Sequence, residues 1–182
     1  MQADPDFTEL RTGRLRLRRS RPHDAEAISA YRSDPEVHVH QGWSKTDPDH
    51  VRGEIEQMLL RAPGEPGGWV QLSVEALGSE ELIGDVGLRP AEDVPGVILV
   101  GYTVAPIHQG RGYATEAVGA IVDYALQTLG ADVVRAYADA GNVASVRVAA
   151  KVGLHVVERF EGTDEEGTWH GVRMERRASH PT

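Results

Sequence analysis

The segment that most restricts the fold runs from Val97 to Leu129. Val97-Ile98-Leu99-Val100-Gly101-Tyr102-Thr103-Val104 is a continuous apolar run that reads as a buried strand. It passes through Ala105-Pro106-Ile107-His108 into Gln109-Gly110-Arg111-Gly112-Tyr113-Ala114-Thr115. This glycine-containing loop opens into a long helix expected from Gly112 to Leu129, with Gly130 as its stop. The first N–H groups of such a helix have no intrahelical acceptor, and the helix dipole adds positive charge there. Glycine lets backbone approach a ligand closely and adopt conformations closed to other residues. The result is an anion site suited to phosphate or pyrophosphate, to which Arg111 can add a charge. Taken alone, the same loop also reads as an ordinary helix start whose glycines turn the chain. Two nucleotide motifs are excluded. Thr115 stands where G-x-G-x-x-G requires its third glycine, and no Gly-Lys-Ser or Gly-Lys-Thr occurs.

The flanking sequence supplies the rest of an α/β layer. Arg14-Leu15-Arg16-Leu17-Arg18 alternates strictly, as a strand with one solvated arginine face would. Pro22 can open a helix that turns Ala25, Ile28 and Tyr31 inward and ends at Ser33-Asp34-Pro35. Asp47 caps a second helix with Pro48 at its first position. Val51, Ile55, Met58, Leu59 and Ala62 form its stripe, and Pro63 to Gly68 break it. Trp69–Ala76, Leu82–Leu88 and Val97–Val104 are spaced as an antiparallel meander, parted by Gly78-Ser79-Glu80 and by Pro90 to Gly96. Beyond the long helix, whose inward face is Ala117, Ile121, Tyr124, Ala125 and Leu129 or Leu126, come three more strands and a helix. They are a strand over Val133–Ala138, a helix over Val143–Lys151, and strands over Leu154–Phe160 and Thr168–Glu175, the last pair joined by a polar turn from Glu161 to Gly167. The order predicts an α/β (α+β) fold: a mixed, mostly antiparallel sheet of six to seven strands flanked by about four helices. No repeat or long linker divides it, so a single domain is expected over 8–176, with tails at 1–7 and 177–182.

Composition narrows the function. Hydrophobic residues make up 40% and charged residues 26%, which suits an ordinary globular domain. Acidic residues outnumber basic ones by 28 to 19, for a net charge of −9, which argues against a non-specific nucleic-acid binder and suits a cationic partner. The absence of cysteine excludes a thiolate nucleophile, a cysteine-based zinc site and a disulfide framework, and suits a reducing cytoplasm. No run is long enough to cross a membrane, and the acidic start is unlike a secretory signal. His38 and His40 are two apart but lie in no HExxH pattern, so no metal site is expected. His23, His50, His155 and His180 read as scattered surface histidines, and Trp43 and Trp69 as core or pocket wall.

Gln109-Gly110-Arg111-Gly112-Tyr113-Ala114-Thr115-Glu116-Ala117 resembles the acetyl-CoA-binding motif Q/R-x-x-G-x-G/A of the GCN5-related N-acetyltransferases. Three further segments agree in order with the branch that acetylates ribosomal-protein N-termini (the RimJ/RimL type). They are Leu15-Arg16-Leu17-Arg18 with Asp24-Ala25 and Asp34-Pro35-Glu36-Val37, then Leu82 to Leu88, then Asn142 to Arg147 with Lys151-Val152-Gly153-Leu154. The resemblance covers roughly residues 8 to 176.

The resemblance implies direct transfer of an acetyl group from acetyl-CoA to a primary amine in a ternary complex. By it, the strands Val97–Val104 and Val133–Ala138 splay apart and take the pantetheine. Backbone N–H groups from Gly110 to Ala114 hold the pyrophosphate, Gln109 frames the turn, and Arg111, Tyr113 and Thr115 belong to the same site. A backbone N–H near Val104 polarises the thioester carbonyl. Ser145 matches a serine that protonates or hydrogen-bonds the departing thiolate. Asn142 contacts the pantetheine while capping its helix. Many relatives carry a glutamate before the Gly-Tyr of the central strand; here Val100 precedes Gly101-Tyr102. Asp85, Glu75, His38, His40 or a water chain must then relieve the amine of its proton. The acceptor is a protein N-terminus, a small amine or an aminoglycoside-like antibiotic, expected to be cationic, and a homodimer is expected from the same resemblance. The alternative is a catalytically silent acyl-CoA-binding sensor.

Overall fold

The computed structural model describes residues 1–41, 43, 45–79, 81–164 and 167–179. Eight strands form one sheet in the order β1-β2-β3-β4-β5-β6-β8-β7. These are β1 (Glu9–Arg11), β2 (Leu15–Arg19), β3 (Val70–Ala76), β4 (Leu82–Pro90), β5 (Val97–Val104), β6 (Val133–Asp139), β7 (His155–Asp164) and β8 (Gly167–Arg177). Every neighbouring pair is antiparallel except β5 and β6, which run parallel because helix α4 crosses between them. The α-helices are α1 (Ala25–Arg32), α2 (Pro35–His38), α3 (Pro48–Leu59), α4 (Tyr113–Gln127) and α5 (Val143–Lys151).

Alternation along the strands separates two faces. Leu15 and Leu17 of β2, Leu72 of β3, Val86 and Leu88 of β4, and Ile98 and Val100 of β5 pack on Val118, Ile121, Val122 and Ala125 of α4. On the opposite face Ile28 and Tyr31 of α1 meet Val51 and Ile55 of α3. Leu129 is fully buried just past the end of α4, so it, and not half-buried Leu126, completes the inward stripe. The chain start is anchored too. Gln2 N–H donates to the Leu129 carbonyl, and Tyr124 donates to Asp4 at 2.7 Å.

The eighth strand and fifth helix exceed the expected count for a physical reason. β1 has three residues and α2 has four, too few for either periodicity to appear. Asp34 nevertheless caps α2 through its side chain. The expected helix at Pro22 begins as a single 3-10 turn over Pro22–Asp24 before α1 takes over. Ala62 lies beyond α3, and Leu59, placed in its stripe, is 41% exposed. The polar turn expected over Glu161–Gly167 is a correction as well: Glu161 to Asp164 extend β7, pairing down to Asp164 opposite Gly167. An added Cβ on Gly162 or Gly171 would strike the Trp169 or Phe160 ring, so each aromatic lies across the glycine opposite it and the ladder continues. Residues 165–166 of that turn, Glu80 of the Gly78-Ser79-Glu80 turn, and His180 lie outside the described residues.

The arginine face of β2 is not solvated. Arg16 and Arg18 both bond the buried Glu75 of β3, and Arg18 grips Asp24 with both terminal nitrogens at 2.8 Å. Ser73 bonds the same aspartate and Ser20.

Candidate active site

Where β5 ends, the backbone becomes a row of unused donors. A 3-10 turn over Pro106–His108 leads to Gly110 and Gly112, whose φ values of 74° and 80° are left-handed and favour glycine. Gly112 is the N-cap of α4. Among the described residues, no protein acceptor receives the N–H groups of Gly110, Arg111, Gly112, Tyr113, Ala114 or Thr115; the first bond of the helix start comes from Glu116, to the Gly112 carbonyl. Nothing lies within 4 Å of a Cβ built on Gly110, so the space beside that glycine is open. The Gln109 side chain donates to the Val104 carbonyl at 3.1 Å and closes the turn. The Arg111 side chain is exposed.

The second element is a gap in the sheet. β5 and β6 pair only at Val97–Val133, Ile98–Val134 and Leu99–Arg135. Both strands continue, β5 to Val104 and β6 to Asp139, with no further pairing between them. Ala105 N–H donates to Ile83 of β4, so alternation turns the backbone groups of Tyr102 and Val104 away from β4 and toward the gap. Both sequence-predicted strands therefore separate beside the loop of free N–H groups.

Ser145 faces this gap from α5. Its Oγ lies 2.7 Å from the Tyr102 hydroxyl, and its carbonyl accepts from that hydroxyl at 2.9 Å. A phenol has one proton, so satisfying both contacts makes Tyr102 donate to the carbonyl and accept from Ser145 Oγ. Burial pushes the Tyr102 pKa up, while the Ser145 contact works to lower it. Asn142 Oδ1 accepts from the Ser145 N–H at 2.9 Å, capping α5 and leaving the Nδ2 donors. Tyr102 was not singled out from sequence. The alternation Val100-Tyr102-Val104, which puts it on the α4–α5 side, is the signal that could have found it.

The carboxylates lie on the other face. Asp85 is 1% exposed, opposite Thr103 in the ladder. Tyr31 of α1 and Gln71 of β3 both donate to it, and Arg32 lies 4.0 Å away. Burial raises its pKa, opposed by Arg32 and by those two donors. Thr103 accepts from Gln41, which follows α2. Arg32 also stacks over Trp43 at 4.6 Å, so that ring leans on the same cluster. Glu75 is enclosed by its two arginines, away from the gap. His38 and His40 are exposed at and just past the end of α2. Trp69 lies over Gly87 and Gly101. The structure thus brings Ser145, Tyr102 and the loop to one side of the gap, and Asp85 with Thr103 to the other.

A model of the family described as acetyltransferase (GNAT) domain matches residues 14–155. The chain is 30% identical over 148 residues to a Bacillus subtilis protein described as the uncharacterized N-acetyltransferase YoaA, covering 81% of this chain and 83% of that one. A GNAT-family acetyltransferase structure from Bacillus anthracis matches with a TM-score of 0.81 at 19% identity, over 93% of this chain and 98% of that one. Mycobacterium smegmatis RimJ, solved in complex with CoA-disulfide, matches with a TM-score of 0.80 at 19% identity, over 98% and 90% of the two chains. With the family model spanning most of its length, and the sheet, gap and glycine loop in place, the chain belongs to the GNAT acetyltransferases.

Proposed function

We propose that this acetyltransferase moves an acetyl group from acetyl-CoA directly to a primary amine, both substrates being bound at once. The observation that carries the reading is the row of free N–H groups from Gly110 to Thr115, set beside a gap that contains the Ser145–Tyr102 pair. These donors and the α4 dipole fit a pyrophosphate. Acetyl-CoA brings the activated acyl group; the chain positions it and handles protons. The gap takes the pantetheine, with Asn142 Nδ2 free to bond it. The Val104 N–H, turned into the gap, polarises the thioester carbonyl as a preorganised dipole. As the sulfur departs, the Tyr102 proton turns from the Ser145 carbonyl to Ser145 Oγ, which frees the serine hydroxyl to donate to the sulfur.

The acceptor enters from the face that carries Thr103 and Asp85. Leu99 and Arg135 face each other at the last β5–β6 pair, so alternation puts Tyr137 on that same face at the rim of the gap. Tyr137 is 51% exposed and makes edge contact with Phe160, which in turn meets Trp169, giving the rim an aromatic wall suited to a cationic amine. Asp85, enclosed by Tyr31 and Gln71, receives the amine proton through Tyr31, whose hydroxyl passes its own proton to the carboxylate as it takes one from the amine. The raised pKa of Asp85 suits a proton acceptor better than an ordinary surface carboxylate would.

The test is coenzyme A release from acetyl-CoA, measured with a panel holding a peptide with a free N-terminus, a monoamine and a polyamine. Turnover on at least one is expected. Coenzyme A binding with no turnover on any would make the protein a silent acyl-CoA binder instead.

A further inference from the structure

The first turn of α4 carries a carboxylate, Glu116, where the proposed coenzyme site needs positive potential. An acid there stabilises a bare helix but repels an anion docked on the same N-terminus. Among the described residues, the hydrogen bonds to this carboxylate come from the segment that leads into β2. Thr12 Oγ1 donates to Oε1 at 2.6 Å, and the Arg14 N–H donates to it at 2.8 Å. Arg14 Nε donates to Oε2 at 2.7 Å, and its NH2 lies 2.6 Å from the same oxygen. Burial works to raise the Glu116 pKa, but these bonds outweigh it and hold the group below the usual carboxylate range. Arg14 also reaches the loop itself: NH1 donates to the Arg111 carbonyl at 3.0 Å, and the guanidinium lies 4.7 Å from the Tyr113 ring centre. A Cβ built on Gly112 would sit 3.5 Å from its NH2.

We infer that Arg14 is a positioning residue for the coenzyme. It neutralises Glu116 and ties back the Arg111 carbonyl, so that the loop presents N–H groups and no opposing charge to the pyrophosphate. The inference rests on the reading of the loop given under Proposed function. Arg14 itself is half-exposed, and its positive charge stays beside the loop while its fork is committed to Glu116 and Arg111.

The experiment is calorimetric titration of the full chain with coenzyme A, in parallel with thermal unfolding of each variant. Arg14→Ala is expected to bind about tenfold more weakly, a loss that shrinks as salt is raised because it is a repulsion between charges. Arg14→Ala combined with Glu116→Gln is expected to regain most of the affinity, since the carboxylate left unpaired in the single variant is gone. Arg14→Gln, which keeps the side-chain length, replaces Arg14→Ala should the latter unfold. Wild-type protein that binds no coenzyme A overturns the loop reading and this inference together. Wild-type binding with undiminished affinity in the Arg14 variant overturns the inference alone. A weakened single variant that Glu116→Gln fails to restore, or whose loss ignores salt, also overturns it, leaving Arg14 a structural strut.

Discussion

A single hydroxyl of Tyr102 joins the strand before the gap to the helix after it. Ser145 rests with its proton on that phenol, and moving the phenol proton from the Ser145 carbonyl to Ser145 Oγ frees the serine proton for the gap. Tyr102→Phe removes the partner without changing the ring, leaving Ser145 Oγ to reorient. We expect Tyr102→Phe to lower kcat roughly five- to thirtyfold, the size of one to two kcal/mol of lost hydrogen bonding, with the KM for acetyl-CoA within twofold. Ser145→Ala should lower it at least as much. Steady-state kinetics with acetyl-CoA varied checks both, and an unchanged kcat in either removes that hydroxyl from the reaction. At this scale the sequence was informative where spacing forces chemistry and silent where partners are distant in the chain. Gln109, Gly110 and Gly112 stand out because a strand, glycines and a helix start are contiguous. Tyr31 and Gln71 do not, because only folding brings them to Asp85, 54 and 14 residues away.

Among the elements, β2, β3 and the turn before α1 share a buried ionic cluster, and it sets an acid limit on stability. Asp24 is buried; burial alone would raise its pKa, but Arg18, the Arg21 N–H and Ser73 outweigh this and lower it. A carboxylate with a lowered folded pKa contributes stability above its ordinary value, and that contribution is lost as pH falls through the folded value. Asp24→Asn is therefore expected to cost about 3 kcal/mol at pH 7, because it leaves Arg18 to share the single charge of Glu75 with Arg16. The same variant should lose less stability than wild type between pH 5 and pH 3, as read from urea midpoints. Equal acid sensitivity in the two proteins would assign the acid loss to other carboxylates. The alternation of Arg14 to Arg18 revealed the strand, yet not that its polar face is covered, since periodicity reports which side is polar and not what lies over it. The full length of the β7–β8 hairpin, beyond the two strands expected, escaped notice for a similar reason. Its glycines and acidic residues have turn composition, and the pairing is sustained by rings lying across those glycines.

As a whole molecule, the protein is two half-sheets, β1–β5 and β6–β8–β7, joined along the sheet by three residue pairs. The helices α4 and α5 bridge the same seam from one side, through contacts such as Gly119 against Val152. A ligand seated in the gap touches both halves and so stabilises the native state by mass action. At coenzyme A one hundred times its Kd the gain is about 2.7 kcal/mol. For a domain of this size that should raise Tm by about 5–10 °C. Hydrogen exchange at residues 97–99 and 133–135 should slow in parallel. A rise in Tm without slowed exchange there would place the ligand elsewhere. The short seam also bears on which thioesters the enzyme accepts. Once pairing stops at Leu99, no backbone bond fixes how far β5 and β6 stand apart, so the width available to an acyl chain is set by how closely α4 and α5 pack. A methyl group at Gly119 would only touch Val152, so a larger branched side chain there, well away from the reacting atoms, is the handle on acyl-chain length.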